Sequence, residues 1–230
     1  LLHIISYFYN PLKPGKGADL DHQNRTDQIC SILKATYPKI KTQLHHKNPF
    51  ELLIATILSA QCTDRQVNGV TGHLFTAFPS PEKLATASLN SIEAIIHSTG
   101  FYHNKARHIK NCARALVDHH KAVVPRTLPK LIRLPGVGRK TANVVLGVAF
   151  SIPGIVVDTH VARISHRLGL TQNRNPEKIE FDLMKIIPKK GWNDFGLRLI
   201  YFGREFCRAK KPVCPACPLA TICPFPEKVS

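Results

Sequence analysis

The chain has 230 residues, 43% of them hydrophobic and 20% charged, and its 32 Lys and Arg against 15 Asp and Glu give a net charge of +17. That apolar content can support a core, and 17 Pro and 13 Gly are too few and too scattered for a collagenous or disordered chain. The charge favours a polyanionic partner, nucleic acid first, and no apolar run approaches the roughly 18–20 residues needed to span a bilayer.

Leu1 to Tyr9 is apolar but lacks a basic leader and a small-residue cleavage site, which argues against a secretory signal and for the cytoplasm, in a bacterium at the nucleoid. The chain does not begin with Met, so an address in a preceding segment stays open. Helical start and stop signals then recur without strand alternation, which predicts an all-α protein of ten or eleven helices. A helix is expected at about 26–37. Asn48-Pro49-Phe50-Glu51 reads as an N-cap, a first-turn proline and a capping-box-like glutamate ahead of the apolar run Leu52 to Leu58. Ser80-Pro81-Glu82, Thr127-Leu128-Pro129 and Asn175-Pro176-Glu177 open in the same way. Further helices are expected at about 64–77, 91–98, 104–120, 139–150, 158–168 and 192–206, with Gly100 and Gly169 as stops. No repeat, low-complexity tract or Gly/Ser linker is visible, so two domains, if present, pack without a flexible tether.

Between Glu93 and Asp158 the only acid is Asp118, while Lys105, Arg107, Lys110, Arg114, Lys121, Arg126, Lys130, Arg133, Arg139 and Lys140 are all basic. One strongly basic face is the reading; separate solvated helix faces are the alternative.

Three constellations carry chemistry. In Leu134-Pro135-Gly136-Val137-Gly138-Arg139-Lys140-Thr141, a dinucleotide fingerprint would need Gly or Ala at Thr141 and a preceding strand, and a P-loop would need Gly at Arg139. What remains is a tight turn between helices whose glycines let backbone N–H groups approach a phosphate, which binds DNA without reading bases. Lys140 falls in the first turn of the next helix, where the positive end of the dipole disfavours a cation and favours a neutral amine able to attack an electrophilic carbon. Asp158, in Val156-Val157-Asp158-Thr159-His160, reads as an N-cap or as a carboxylate that accepts a proton and stabilises positive charge on a sugar. Cys30, Cys62 and Cys112 are isolated, but Cys207, Cys214, Cys217 and Cys223 fall close together. An odd total suits a disulfide scaffold poorly, and four clustered thiolates suit structural zinc or a [4Fe–4S] cluster equally well by spacing. Arg208, Lys210 and Lys211 lie in the first arm, as a solvated or a phosphate-binding loop.

The run from Leu134 to Val145, then Val157-Asp158-Thr159-His160, then the cysteine spacing, with Phe50 to Ala55 and Leu58-Ser59-Ala60-Gln61 upstream, resembles the endonuclease III family of helix–hairpin–helix DNA glycosylases over roughly residues 26–228. The resemblance implies two helical domains: a six-helix domain at 42–152 bearing the hairpin, and a discontinuous cluster domain from 1–41 and 153–230. It implies a [4Fe–4S] cluster on the four cysteines, Lys140 as nucleophile and Asp158 as catalytic acid. Gly136, Val137, Gly138, Arg139 and Lys211 are expected on DNA, Gln61 in the gap opposite a flipped base, and Phe101 at a second wedge position where relatives commonly carry an aliphatic residue. The implied activity is bifunctional: release of oxidised pyrimidines such as thymine glycol from duplex DNA, then strand cleavage at the abasic site by β-elimination. The partner is double-stranded DNA with damaged bases or abasic sites, no membrane is involved, and a monomer is expected. The alternatives are a monofunctional mismatch glycosylase, against which Lys140 argues, and a non-catalytic DNA-binding module.

Overall fold

The computed structural model describes residues 16–225, with side chains from Asp21 onward, so the apolar segment Leu1 to Tyr9 lies outside the described residues. Among these residues there are eleven α-helices and no strand: α1 Lys16–Thr36, α2 Pro49–Leu58, α3 Asp64–Ala77, α4 Pro81–Thr86, α5 Leu89–Ile96, α6 Tyr102–His120, α7 Leu128–Leu131, α8 Arg139–Phe150, α9 Thr159–Arg167, α10 Pro176–Ile186 and α11 Trp192–Glu205. Short 3-10 turns occupy His97–Thr99 and Lys189–Gly191. None of these helices is long and apolar enough to cross a membrane.

The helix starts follow from local chemistry. Asn48, Thr63, Ser80, Ser88, Asp158 and Asn175 each stand in extended backbone and accept an N–H of the following first turn, which satisfies donors the helix cannot. At α2 the Asn48 side chain accepts from Glu51 N at 2.9 Å, while the Glu51 carboxylate accepts from Lys47 N at 2.6 Å. The reciprocal box therefore closes one residue before the cap. Gly169, at φ +65°, follows α9 as expected. Two elements differ from the sequence reading. α1 begins about ten residues earlier than expected, and α7 is a single turn, because Leu134 N and Val137 N already bond back three residues, to Leu131 O and Leu134 O, in the hairpin turn.

Buried apolar side chains fall into two cores. The first runs without interruption in sequence from Leu44 to Leu146 and is built from α2 to α8. The second joins Ile29 and Leu33 of α1 to residues between Ile155 and Leu219, on α9, α10, α11 and the cysteine segment. On α8, Ala142, Val145 and Leu146 are buried in the first core, at the spacing of one helix face.

Two places are tightly determined. Gly136 has φ +76°, and a Cβ there would meet His108 Cβ at 2.8 Å and Ile57 Cγ2 at 3.3 Å; only glycine can make this turn against α6 and α2. His160 on α9 lies against Gly203 of α11, where a Cβ would fall 2.7 Å from its Nδ1. Arg163 Nη2 is 3.2 Å from that nitrogen, and since a guanidinium only donates, Nδ1 is the acceptor. Burial lowers the His160 pKa, with Arg163 and Arg204 adding to the effect and Asp158 opposing it.

Two predictions result. Gly136→Ala should cost about 1–3 kcal/mol of stability through strain and overpacking, read as a lower urea midpoint with an unchanged slope. The second concerns pH. An unfolded His160 takes up its proton near pH 6.5, the folded one only at lower pH, so below about 6.5 the unfolded chain binds more protons and stability falls as pH falls. Urea midpoints measured at pH 7.5 and 5.5 should differ less in His160→Gln than in the unmutated protein.

Candidate active site between two helical cores

α8 carries a second face. Lys140, Asn143, Val144, Gly147 and Val148 line a cavity of about 340 Å³, at intervals of three, four, seven and eight residues that place them on one side of the helix. It is also lined by Asn193, Asp194, Leu197, Ile200, Tyr201 and Arg204 of α11, by Val156 and Asp158, and by Ile40 to Leu44 with Asp64. The cavity thus lies where the two cores meet, and its volume is in the range of ligand sites.

Lys140 is solvent-exposed and makes no hydrogen bond or ion pair among the described residues. Asp158 is half-buried and is the N-cap of α9: its Oδ1 accepts from Val161 N at 2.8 Å, and its second oxygen makes no hydrogen bond. Asp158 is therefore at once the cap of α9 and part of the cavity lining. Lys140 and Asp158, 18 positions apart and on different sides of the junction, are brought to one cavity. Arg204 donates to Asp64 Oδ2 at 2.9 Å and to Gln43 Oε1 at 2.8 Å, which ties α11 to the first core beside that cavity.

Asp64, Asn143, Asn193, Tyr201 and Arg204 were not singled out from sequence. The signal for Asn143 and Gly147 was there: they continue the helical stripe of Lys140 and interrupt an apolar helix with polar and small residues. No comparable signal marks Asp64 and Arg204, which sit 140 positions apart.

The hairpin glycines are solvent-accessible while Val137 is 6% exposed and anchors the turn in the first core. Arg139 is not turned toward the hairpin. Its Nε and Nη2 donate to Glu180 at 2.7 and 3.3 Å, its Nη1 lies 3.0 Å from Glu177 Oε1, and its guanidinium stacks on Phe181. Every guanidinium nitrogen is engaged by α10, so Arg139 ties α8 to α10. The single basic face is also interrupted, since Lys105 is 5% exposed.

Gln61 and Phe101 occupy two loops and share an unusual backbone: both are non-glycine residues in the left-handed region, at φ 50° and 48°, a strained conformation for Phe. Phe101 is 68% exposed. The ring is presented to solvent.

Cys207, Cys214, Cys217 and Cys223 line one apolar cavity with Phe202, Phe206, Leu219 and Arg167. Arg167 Nη1 is 3.3 Å from Cys207 Sγ, and Arg163 Nη2 donates to Cys207 O at 2.9 Å. Among the described residues no three His, Cys, Asp or Glu side chains are gathered into a group that could hold a single metal ion. Lys211, exposed and at φ 50°, lies in the loop between Cys207 and Cys214.

A model of the HhH-GPD superfamily of base excision DNA repair proteins matches residues 54–189. Endonuclease III of Synechocystis sp. is 49% identical over 203 residues, 88% of this chain and 93% of that protein. Endonuclease III of Bacillus subtilis is 45% identical over 188 residues, 81% of this chain and 86% of that protein. A solved structure of a trapped endonuclease III–DNA covalent intermediate, an estranged-adenine complex, superimposes with a TM-score of 0.85 at 45% identity, covering 88% of this chain and 96% of that one. With eleven helices among its described residues, a glycine hairpin and a cavity between two cores, the chain belongs to the HhH-GPD superfamily of base excision DNA repair proteins and, within it, to the endonuclease III family.

Proposed function

We propose that this chain is a bifunctional DNA glycosylase and AP lyase that releases oxidised pyrimidines from duplex DNA and cuts the strand through a lysine Schiff base. The observation that carries this reading is the arrival of Lys140 and Asp158 at one cavity between the two cores. The similarity to a trapped covalent endonuclease III–DNA intermediate supports a covalent mechanism. A non-catalytic binding module would need neither an unpaired amine nor a free carboxylate oxygen lining the same cavity.

In the mechanism this implies, the damaged nucleotide leaves the stack and enters the cavity. The Lys140 nitrogen lone pair forms a bond to the sugar C1′ as the C1′–base bond breaks, and the base departs with that electron pair. Asp158 stabilises positive charge on the sugar and accepts a proton from the attacking nitrogen. Ring opening gives an imine; loss of a 2′ proton then expels the 3′ phosphate oxygen. The reaction needs no oxidant. Exposed backbone N–H groups at Gly136 and Gly138 receive a phosphate, as befits the start of a helix, while Gln61 fills the gap opposite the flipped base and Phe101 wedges beside it. Lys211 adds a phosphate contact from the cysteine loop. We assign 42–152 to one domain and 1–41 with 153–230 to the other, a division the two cores support. Function as a monomer and a cytoplasmic, nucleoid-associated location belong to the same reading, the latter supported by the bacterial origin of the relatives.

For the four cysteines we propose a [4Fe–4S] cluster. The donor set fits: four thiols line one apolar cavity, and the Arg163 and Arg167 cations stand against Cys207, where they would offset thiolate charge. When bound, the cluster supplies a metal crosslink between chain positions 207 and 223 and a redox-capable centre.

Borohydride trapping on a duplex with one thymine glycol tests the nucleophile: a covalent adduct is expected from the unmutated protein and none from Lys140→Gln. Asp158→Asn should slow base release at least about 100-fold without unfolding, since Asn caps helices as well as Asp does; wild-type rates in either variant would overturn its assignment. Anaerobically purified protein should be brown with broad visible absorbance, and Cys217→Ser should lose that absorbance together with stability. A colourless protein holding one zinc would refute the cluster.

A further inference from the structure

A polar cluster lies beneath the two loops that present Gln61 and Phe101, and the mechanism above does not use it. Lys105, in the first turn of α6, is 5% exposed and has no carboxylate partner; its Nζ donates to Thr99 O at 2.7 Å, and Thr99 is 2% exposed. Burial lowers the Lys105 pKa, with Cys62 opposing the shift, so the Cys62 thiol lies within electrostatic reach of the ammonium. From the other side, Gln66 of α3 donates through Nε2 to Ser98 O, and its Oε1 is 3.6 Å from Cys62 Sγ. Two consecutive carbonyls are thus gripped from two helices. Immediately after them the chain enters Gly100, at φ 67° and ψ 151°, and Phe101, at φ 48° and ψ 28°. The first of these conformations is essentially open to glycine alone, and the second is strained for phenylalanine.

A buried cation with no counter-ion is unfavourable, and an apolar residue would pack α6 better. The hydrogen bond to Thr99 O gives Lys105 a role, because it fixes the carbonyl from which the strained turn departs. Cys62, next to Gln61 in sequence, touches Gln66, so the same cluster reaches the neighbouring loop.

We propose, resting on the function proposed above, that Gln66 and Lys105 are positioning residues that hold the Gly100–Phe101 turn from two sides, so that Phe101 meets DNA as a pre-formed wedge in register with Gln61. Neither side chain touches the reacting atoms. Their contribution is preorganisation: the strain at Phe101 is met on folding rather than when DNA binds.

The test compares four full-length proteins: unmutated, Gln66→Ala, Phe101→Ala and the double variant. Each is titrated with a duplex carrying a tetrahydrofuran abasic analogue beside 2-aminopurine, whose fluorescence reports unstacking, and with the undamaged duplex. Gln66→Ala is expected to reduce the preference for the damaged duplex about five-fold, the scale of one hydrogen bond, and to change affinity for undamaged DNA less than about two-fold. In the Phe101→Ala background the same substitution should have no effect, because the two act through one element. Equal losses in both backgrounds, an undiminished preference in Gln66→Ala, or an undiminished preference in Phe101→Ala would each overturn the proposal. Gln66 is solvent-exposed, so its truncation leaves the packing of the core in place. Borohydride trapping on a single-stranded abasic oligonucleotide separates the two readings. If the unmutated protein traps but the cycle is additive, only the positioning role fails; if it does not trap, the lyase function fails with it.

Discussion

Glu180 is 3% exposed, and a carboxylate so placed costs several kcal/mol unless it is neutralised and hydrogen-bonded. Its partners come from the other side of the junction: Arg139 brings the charge and Asn143 Nδ2 donates at 3.0 Å. Both lie on α8, so the requirement that this acid be satisfied fixes α8 against α10. Lys140 stands between these two residues in sequence. Its own side chain, free of partners, is therefore carried by a helix whose rotation and depth are set by groups with no part in the chemistry. On the next turns, Gly147 lets Asn193 approach to where a Cβ would be 2.9 Å from its Oδ1, and the same oxygen accepts from Gly154 N. The cavity owes its shape to these contacts.

Strain is distributed unevenly. Gly136 carries a positive φ inside the hairpin, and Gln61 and Phe101 carry one in loops where glycine would be easier. All three stand in turns that flank helices of the first core, on the parts of the surface assigned to DNA. A continuous core from α2 to α8 is rigid enough to hold such backbone in place, because each of these turns starts or ends on a helix whose opposite face is buried. The second core contributes Asp158 as a cap and the cysteine segment, where Lys211 also carries a positive φ.

What could be read in the sequence was whatever depends on nearby residues. The caps at Asn48, Ser80, Asp158 and Asn175, the prolines after three of them and the stop at Gly169 are local, so most helix boundaries were legible to within a residue or two. The long N-terminal extension of α1 was not, because Lys16 to Arg25 is polar and without apolar period. Lys140, Asp158 and the cysteines stood out through motif spacing. The ties of Arg139 to α10 were not legible because its partners, Glu177 and Glu180, lie about 40 positions downstream, and nothing local distinguishes an arginine that faces a phosphate from one that faces an acid. Lys105 was counted as surface charge for the same reason: its burial is decided by the loop folding over it, which no window of sequence reports.

The second core is assembled from the two ends of the described chain. Ile29 and Leu33 of α1 pack against residues that begin only at Ile155 and extend to Leu219, with the whole first core between them. During synthesis from the N-terminus, at roughly 5–20 residues per second, the first core can close as soon as α8 has emerged, whereas the apolar stripe of α1 waits on the order of ten seconds for its partners. For that interval the nascent protein is one finished half tethered to an orphan helix, and the closing of the long loop between α1 and α11 makes the cavity between the cores, which needs both halves, the last part of the molecule to exist.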